Sequence, residues 1–264
     1  MKKIKVSHEV PFFLLKKSRK FNDYDYCLPH LMDENEEYRN FFYESKEMGR
    51  YIVMDNSLHE LGEAYNAERL IHWVNEIKPE EFIVPDVWED MEKSIENAQF
   101  WSQIELPEGV VKVAVVQAKN IREAEKCVNS YLKLGYKKIA FSYGASYYNE
   151  ICPHPNKDLG KAIGRYMVVN SLYKMGILKS FDRVHLLGTA WPAEFGMYKN
   201  IECIESIDTS NPIMAGIEYT EYGDLGISTK PKVNMNFTQD RQLTDVQLYT
   251  IKHNVEQFKK INQL

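Results

Sequence analysis

Three times along this chain a short apolar run stops at an aspartate. Ile204-Glu205-Ser206-Ile207 runs into Asp208 and the turn residues Asn211-Pro212, Tyr51-Ile52-Val53-Met54 into Asp55-Asn56-Ser57, and Glu81-Phe82-Ile83-Val84-Pro85 into Asp86. β-Branched and aromatic residues suit a strand, and Pro, Asn and Ser end its ladder. Each run is therefore predicted to be a strand that carries a carboxylate to its own C-terminal edge, and the three edges to share one rim.

A fourth run, residues 110–116, is almost wholly apolar and ends at Gln117. A strand without a polar face is expected where helices cover a parallel sheet. Further strands are predicted at 24–28, 138–141, 183–187 and 232–236. Helices are predicted at 33–48, 66–77, 89–101, 121–134, 158–175, 193–200 and 242–258. Leu70, Ile71, Val74 and Ile77 recur at helical spacing, and Gly49, Gly135 and Gly176 stand as stops. Residues 56–62 and 213–229 read as loops. Eight strands alternating with helices predict an α/β fold, a single-domain (β/α)8 TIM barrel over residues 1–264 with an extended N-terminal segment and a closing C-terminal helix. An open doubly wound sheet would bring fewer strands and a glycine-rich first turn, and neither GxGxxG nor GxxxxGK[ST] occurs.

A barrel needs a large core, which 264 residues at 44% hydrophobic content can fill. No apolar run reaches the roughly 20 residues that span a bilayer, and Met1-Lys2-Lys3 leads into a mixed strand rather than a secretory apolar segment. A soluble, cytoplasmic protein with no membrane contact is expected. Cys27, Cys127, Cys152 and Cys203 lie far apart with no CxxC pair, so neither a disulfide framework nor a zinc knuckle is expected. The net charge of -5 opposes nonspecific capture of nucleic acid. Local basic clusters remain: residues 16–20, Lys137-Lys138, Lys259-Lys260, and Lys157 with Lys161 and Arg165. Each reads first as a solvated face and second as a phosphate contact.

Asp55, Asp86, Asp208 and Gln117 on one mouth admit four readings. They are helix caps and turn formers; an oxygen-rich site for magnesium or manganese; a glycosyl-transfer pair, in which one ionised carboxylate faces an anomeric carbon while another moves a proton; or a pocket for a guanine-like edge, with a carboxylate accepting from ring N–H and amine and an amide donating to a carbonyl. The last two are compatible. Around them Tyr143, Trp88 and Trp191 read as stacking or packing aromatics, and His59 and Glu60 as loop residues near the substrate.

At these stretches the chain resembles the tRNA-guanine transglycosylase superfamily, with its queuine and archaeosine branches. Asp55-Asn56-Ser57 is similar to the family's Asp-Ser-Gly segment, whose Asp is the general acid/base. Asp86 lies where the family has its base-recognising Asp, and Val115-Val116-Gln117 resembles the Val-Gln-Gly segment that contacts the base's carbonyl. Ser142-Tyr143-Gly144 falls at the family's glycine-rich base-binding loop, and Leu186-Leu187-Gly188-Thr189 resembles its Met-Gly-Val-Gly loop. Asp208, four residues before Pro212, has the spacing of the nucleophilic Asp before Pro-Thr-Arg, although Pro212-Ile213-Met214 stands here.

The resemblance covers residues 24–216. The family's CxCxxC…H zinc segment has no counterpart, and compact relatives without it, found in phages and bacterial gene clusters, are thought to place 7-deazaguanine bases in DNA. The resemblance to that branch implies a pentosyltransferase that replaces guanine in DNA with a free 7-deazaguanine base such as preQ0, using Asp208 and Asp55 and no cofactor or metal. It implies a cytoplasmic location (the host's if phage-encoded), DNA as partner with tRNA as the alternative, and room for a helper protein that opens the duplex. The rival readings are a nucleoside hydrolase-like or metal-assisted barrel enzyme and a noncatalytic protein that binds a modified base or nucleic acid.

Overall fold

A computed structural model of the chain describes residues 3–229, 231 and 242–264. Eight strands form one sheet: β1 (Lys5–Ser7), β2 (Asp25–Cys27), β3 (Ile52–Met54), β4 (Glu81–Ile83), β5 (Val111–Val116), β6 (Lys138–Phe141), β7 (Arg183–Leu186) and β8 (Ile204–Asp208). All strand pairs are parallel, and the order β1-β8-β7-β6-β5-β4-β3-β2 curls into a nearly closed (β/α)8 TIM barrel with helices around it. Parallel closure places every strand's C-terminal end on the same mouth.

The strands differ from the sequence reading at the start of the barrel. The segment expected to open the barrel, residues 24–28, is the second strand. The first is Lys5–Ser7, only three residues long and therefore without a readable alternation. It pairs with β8 through Lys5↔Ser206, Val6↔Ile207 and Ser7↔Asp208. The strand expected at 232–236 lies outside the described residues.

Side chains stitch the seam between β1 and β2. Asn22 accepts from the His8 N–H at 2.8 Å and donates to the His8 carbonyl at 3.0 Å, as a strand neighbour would. Asp23 repeats the device one step back: its carboxylate accepts from the Val6 N–H at 2.9 Å, and its own N–H donates to the Val6 carbonyl at 2.9 Å. The ladder is thus completed where two short strands cannot pair directly.

The larger core lies between sheet and helices. The helix Ala67–Ile77 buries Leu70, Trp73, Val74 and Ile77 against the barrel, each worth about 1.5–3 kcal/mol relative to exposure. Helix starts share one chemistry. Asn66, Asp90, Asn120 and Asn156 each accept from a backbone N–H in the first turn, from Arg69, Lys93, Glu123 and Leu159, about 1 kcal/mol apiece. A smaller cluster of Tyr24, Val53, Ile83, Val113, Val115 and Ala140, at alternate strand positions, fills the barrel interior.

Local departures from the sequence reading have simple causes. The expected helix at 33–48 is two, Pro29–Glu34 and Glu36–Glu47, because Asn35 is extended and caps the second through the Tyr38 N–H. Residues 56–62 contain the single-turn helix Leu58–Leu61, and the loop expected from 213 begins with the helix Asn211–Ile217, whose first turn takes Pro212. That helix packs under the closing helix Asp245–Asn262 so tightly that a Cβ on Gly216 would stand 2.5 Å from Ile251 Cγ1. Among the described residues no helix is long and apolar enough to cross a membrane.

Candidate active site

The C-terminal mouth opens into a cleft of about 720 Å³, its solvent-open part included, within the range of small-ligand sites. Most of the sequence-derived set lines it: Asp55 and Asn56 after β3, Asp86 after β4, Gln117 after β5, Ser142 and Tyr143 after β6, Leu187 and Gly188 after β7, and Asp208 at the end of β8. Ser57 and Gly144 do not line the cleft. Ser57 is fully buried and pairs with His30 Nδ1 at 2.8 Å, and Gly144 turns the β6 loop at φ +85° against Trp88.

Asp55 and Asp208 are both buried and both open on this cleft. Burial raises the Asp208 pKa to about 6, against a Glu9 hydrogen bond, the Gly188 N–H and the Arg165 charge, all of which favour the anion. Asp55 is raised to about 6 by burial and by the Asp208 charge, opposed by the Asn56 and Ser57 N–H groups and the Tyr26 hydroxyl. The Ser57 N–H reaches Asp55 Oδ2 at 3.2 Å from a left-handed backbone, φ +60°.

Asp208 is held from two sides. His185 Nε2 stands 2.8 Å from Oδ1, and the Gly188 N–H donates to Oδ2 at 3.1 Å. Gly188 has φ +53°, and a Cβ there would lie 3.1 Å from the Tyr143 ring, so conformation and space both call for glycine.

Asp86, Asn56 and Gln117 form one polar array. Asn56 Nδ2 donates to Asp86 Oδ1 at 2.8 Å and Gln117 Nε2 to Asp86 Oδ2 at 2.7 Å, while Gln117 Oε1 accepts from the Glu89 N–H at 3.2 Å. Burial raises the Asp86 pKa to about 6, and the two amides oppose it. The array fixes donor and acceptor directions on the cleft wall.

Arg165 is not a phosphate contact. It is 1% exposed, donates Nε to Glu194 at 2.7 Å, and turns its remaining nitrogens on the carbonyls of Ser142 at 3.3 Å, Leu187 at 2.5 Å and Gly188 at 2.7 Å. One guanidinium thereby clamps the β6 and β7 loops. The sequence reads residues 158–175 as a helix and gives no sign that this position faces inward. Trp88 does wall the cleft, 38% exposed, while Trp191 does not line it.

Two further carboxylates line the cleft, Glu9, which sequence reasoning did not single out, and Glu60, which it placed near the substrate. Glu9 follows β1, the strand with no legible pattern, and hydrogen-bonds Asp208. Glu60, on Leu58–Leu61, has its pKa pushed up to about 9 by burial and then by Asp55 and Glu9. It holds a proton at neutral pH beside the ionisable pair. Among the described residues no group of three or more His, Cys, Asp or Glu is arranged to hold a metal ion.

Comparison of the chain with protein-family models and with curated proteins gives no match.

Proposed function

We propose that this barrel is a base-exchange glycosyltransferase that replaces guanine in DNA with a 7-deazaguanine such as preQ0, in the manner of the compact transglycosylases its motifs resemble. The observation that carries the reading is the pair Asp55 and Asp208, two buried carboxylates from β3 and β8 open to one cleft that also displays the Asn56–Asp86–Gln117 array.

Asp208 Oδ attacks C1′ as the C1′–N9 bond breaks, and Asp55 in its protonated form, favoured by burial and by the Asp208 charge, hands its proton to the departing guanine. The enzyme then holds the sugar as an ester of Asp208. The incoming base gives its N9 proton back to Asp55, its nitrogen attacks C1′, and Asp208 leaves as carboxylate. Two inversions retain configuration. Asp86 accepts from the ring N–H and exocyclic amine of either base, a free Gln117 N–H donates to the carbonyl, and Trp88 and Tyr143 supply stacking faces. The nucleotide leaves the duplex stack to reach this mouth.

The test is incubation with labelled guanine or preQ0 and, separately, DNA and tRNA, with and without chelator. Label entering DNA, undiminished by chelator, supports the reading. Label in tRNA alone moves the substrate, loss with chelator favours metal-assisted chemistry, and no label in either polymer removes the proposal.

A further inference from the structure

Beneath Asp208 a line of buried polar side chains runs down the barrel axis to the opposite mouth. Lys138, the first residue of β6, places Nζ 2.5 Å from Glu81 Oε2 at the start of β4 and 3.2 Å from Ser206 Oγ on β8. Ser206 Oγ stands 2.8 Å from His185 Nδ1, and His185 Nε2 2.8 Å from Asp208 Oδ1. Lys138, Glu81, His185, Ser206 and Asp208 are each at most 4% exposed. Lys138 also meets Glu205 at 3.6 Å, and Arg183 joins Glu81 at 3.3 Å and Glu205 at 3.3 Å, so the lower end is an ion cluster with both signs present.

Hydrogen-bond valence fixes the direction of this line. The Lys138 ammonium, paired with carboxylates, only donates, so Ser206 Oγ is its acceptor. The single Ser206 proton then points at His185 Nδ1. Burial holds His185 neutral, its pKa lowered to about 3, so the ring carries one proton. With Nδ1 accepting, that proton is on Nε2 and is donated to Asp208. Serine, histidine and aspartate thus occur in hydrogen-bonded sequence, but the serine is 4% exposed and outside the cleft lining while the aspartate is inside it. The polarity is opposite to that of a serine hydrolase, in which the hydroxyl faces substrate.

We propose that Lys138, Ser206 and His185 are positioning residues, a one-way hydrogen-bond relay that fixes the His185 tautomer and so aims Asp208 and holds it as the anion for attack on C1′. The role of Asp208 in this statement rests on the transglycosylase reading; the direction of the relay does not. The other titratable groups facing Asp208 are Glu9 after β1, Tyr24 just before β2, Tyr26 on β2, Asp55 after β3, Glu60 on Leu58–Leu61 and Arg165. None of them changes when the relay is cut below His185.

The experiment is nitrogen-15 NMR of the histidine rings with carbon-13 NMR of the aspartate carboxyls in the full chain, alongside kinetics. In the native protein His185 is expected neutral and protonated at Nε2 from pH 5 to 8. Ser206→Ala removes one buried hydroxyl and frees the tautomer, so the Nδ1–H form grows and the Asp208 titration moves up by about one pH unit. His185→Gln, whose amide nitrogen can replace the Nε2 donor, restores the native titration, and His185→Phe does not. In exchange assays the acid limb of kcat shifts by the same amount while KM for the free base stays within about twofold. A native His185 proton on Nδ1, or an Asp208 titration unmoved in Ser206→Ala, overturns the relay. Absence of exchange in the native protein removes the transglycosylase reading and leaves the NMR result to decide the relay by itself.

Discussion

Gly188 donates its backbone N–H to the Asp208 carboxylate at 3.1 Å from a left-handed conformation, and Arg165 holds the Leu187 carbonyl, the other end of the same peptide, at 2.5 Å. The peptide that steadies the anion is therefore itself held by a buried cation one shell further out. Both carboxylates of the proposed reaction are set in this way, Asp208 by Gly188 and Asp55 by the Ser57 N–H.

The two carboxylates are expected to fail differently. Asp208→Asn removes the nucleophile, so no covalent DNA–protein adduct is trapped at any time point. Asp55→Asn leaves the nucleophile but cannot give or take a proton, so adduct forms slowly and exchange falls by about 10²–10⁴-fold. Intact-mass or denaturing-gel analysis of the adduct checks both; an Asp208→Asn adduct would assign the nucleophile elsewhere.

Glu60 predicts a pH signature in stability. Its folded pKa is raised to about 9 from the ordinary 4.5, so the folded chain binds the extra proton and stability falls as pH rises between those values. Buried His8 and His185, lowered to about 3, act below pH 6.5 and with the opposite sign. Between pH 7 and 9 the raised thiols of Cys27 and Cys127 act with the sign of Glu60 and the lowered Lys138 against it, so the comparison with Glu60→Gln is what isolates Glu60. Urea unfolding should lose on the order of 2 kcal/mol across that interval, and Glu60→Gln should flatten the slope.

Arg165→Met leaves Glu194 buried beside only the hydroxyls of Thr189 and Tyr198 and frees the loop carbonyls. A loss of about 3–5 kcal/mol is expected, with Arg165→Lys intermediate because an ammonium cannot reproduce the fork. Denaturant midpoints check the order. An Arg165→Met protein as stable as the native one would mean that the clamp contributes nothing.

Ser57 carries φ +60° and a buried bond to His30. Ser57→Gly relieves the backbone at the cost of the bond, two effects of about 1 kcal/mol each that nearly cancel. Ser57→Ala loses the bond and keeps the strain, so its Tm should fall below that of Ser57→Gly; the reverse order would mean that the left-handed backbone carries no strain for glycine to relieve.

Periodicity made seven of the eight barrel strands legible, because a parallel strand covered by helices must be apolar on both faces and must end on a shared rim. That is why Asp55, Asp86, Gln117 and Asp208 were legible as one set. The caps at Asn66, Asp90, Asn120 and Asn156 are local chemistry of the same kind, settled within four residues. Tertiary structure decided the rest. Lys5–Ser7 is a strand only because β8 and the Asn22-Asp23 side chains complete its ladder. Lys138, His185 and Ser206 interrupt their strands as a solvent-facing residue would, since alternation separates two faces without saying which is inside. Their partners lie 68 and 21 residues away in the chain, and closing the barrel is what turned those interruptions inward and stacked them under Asp208.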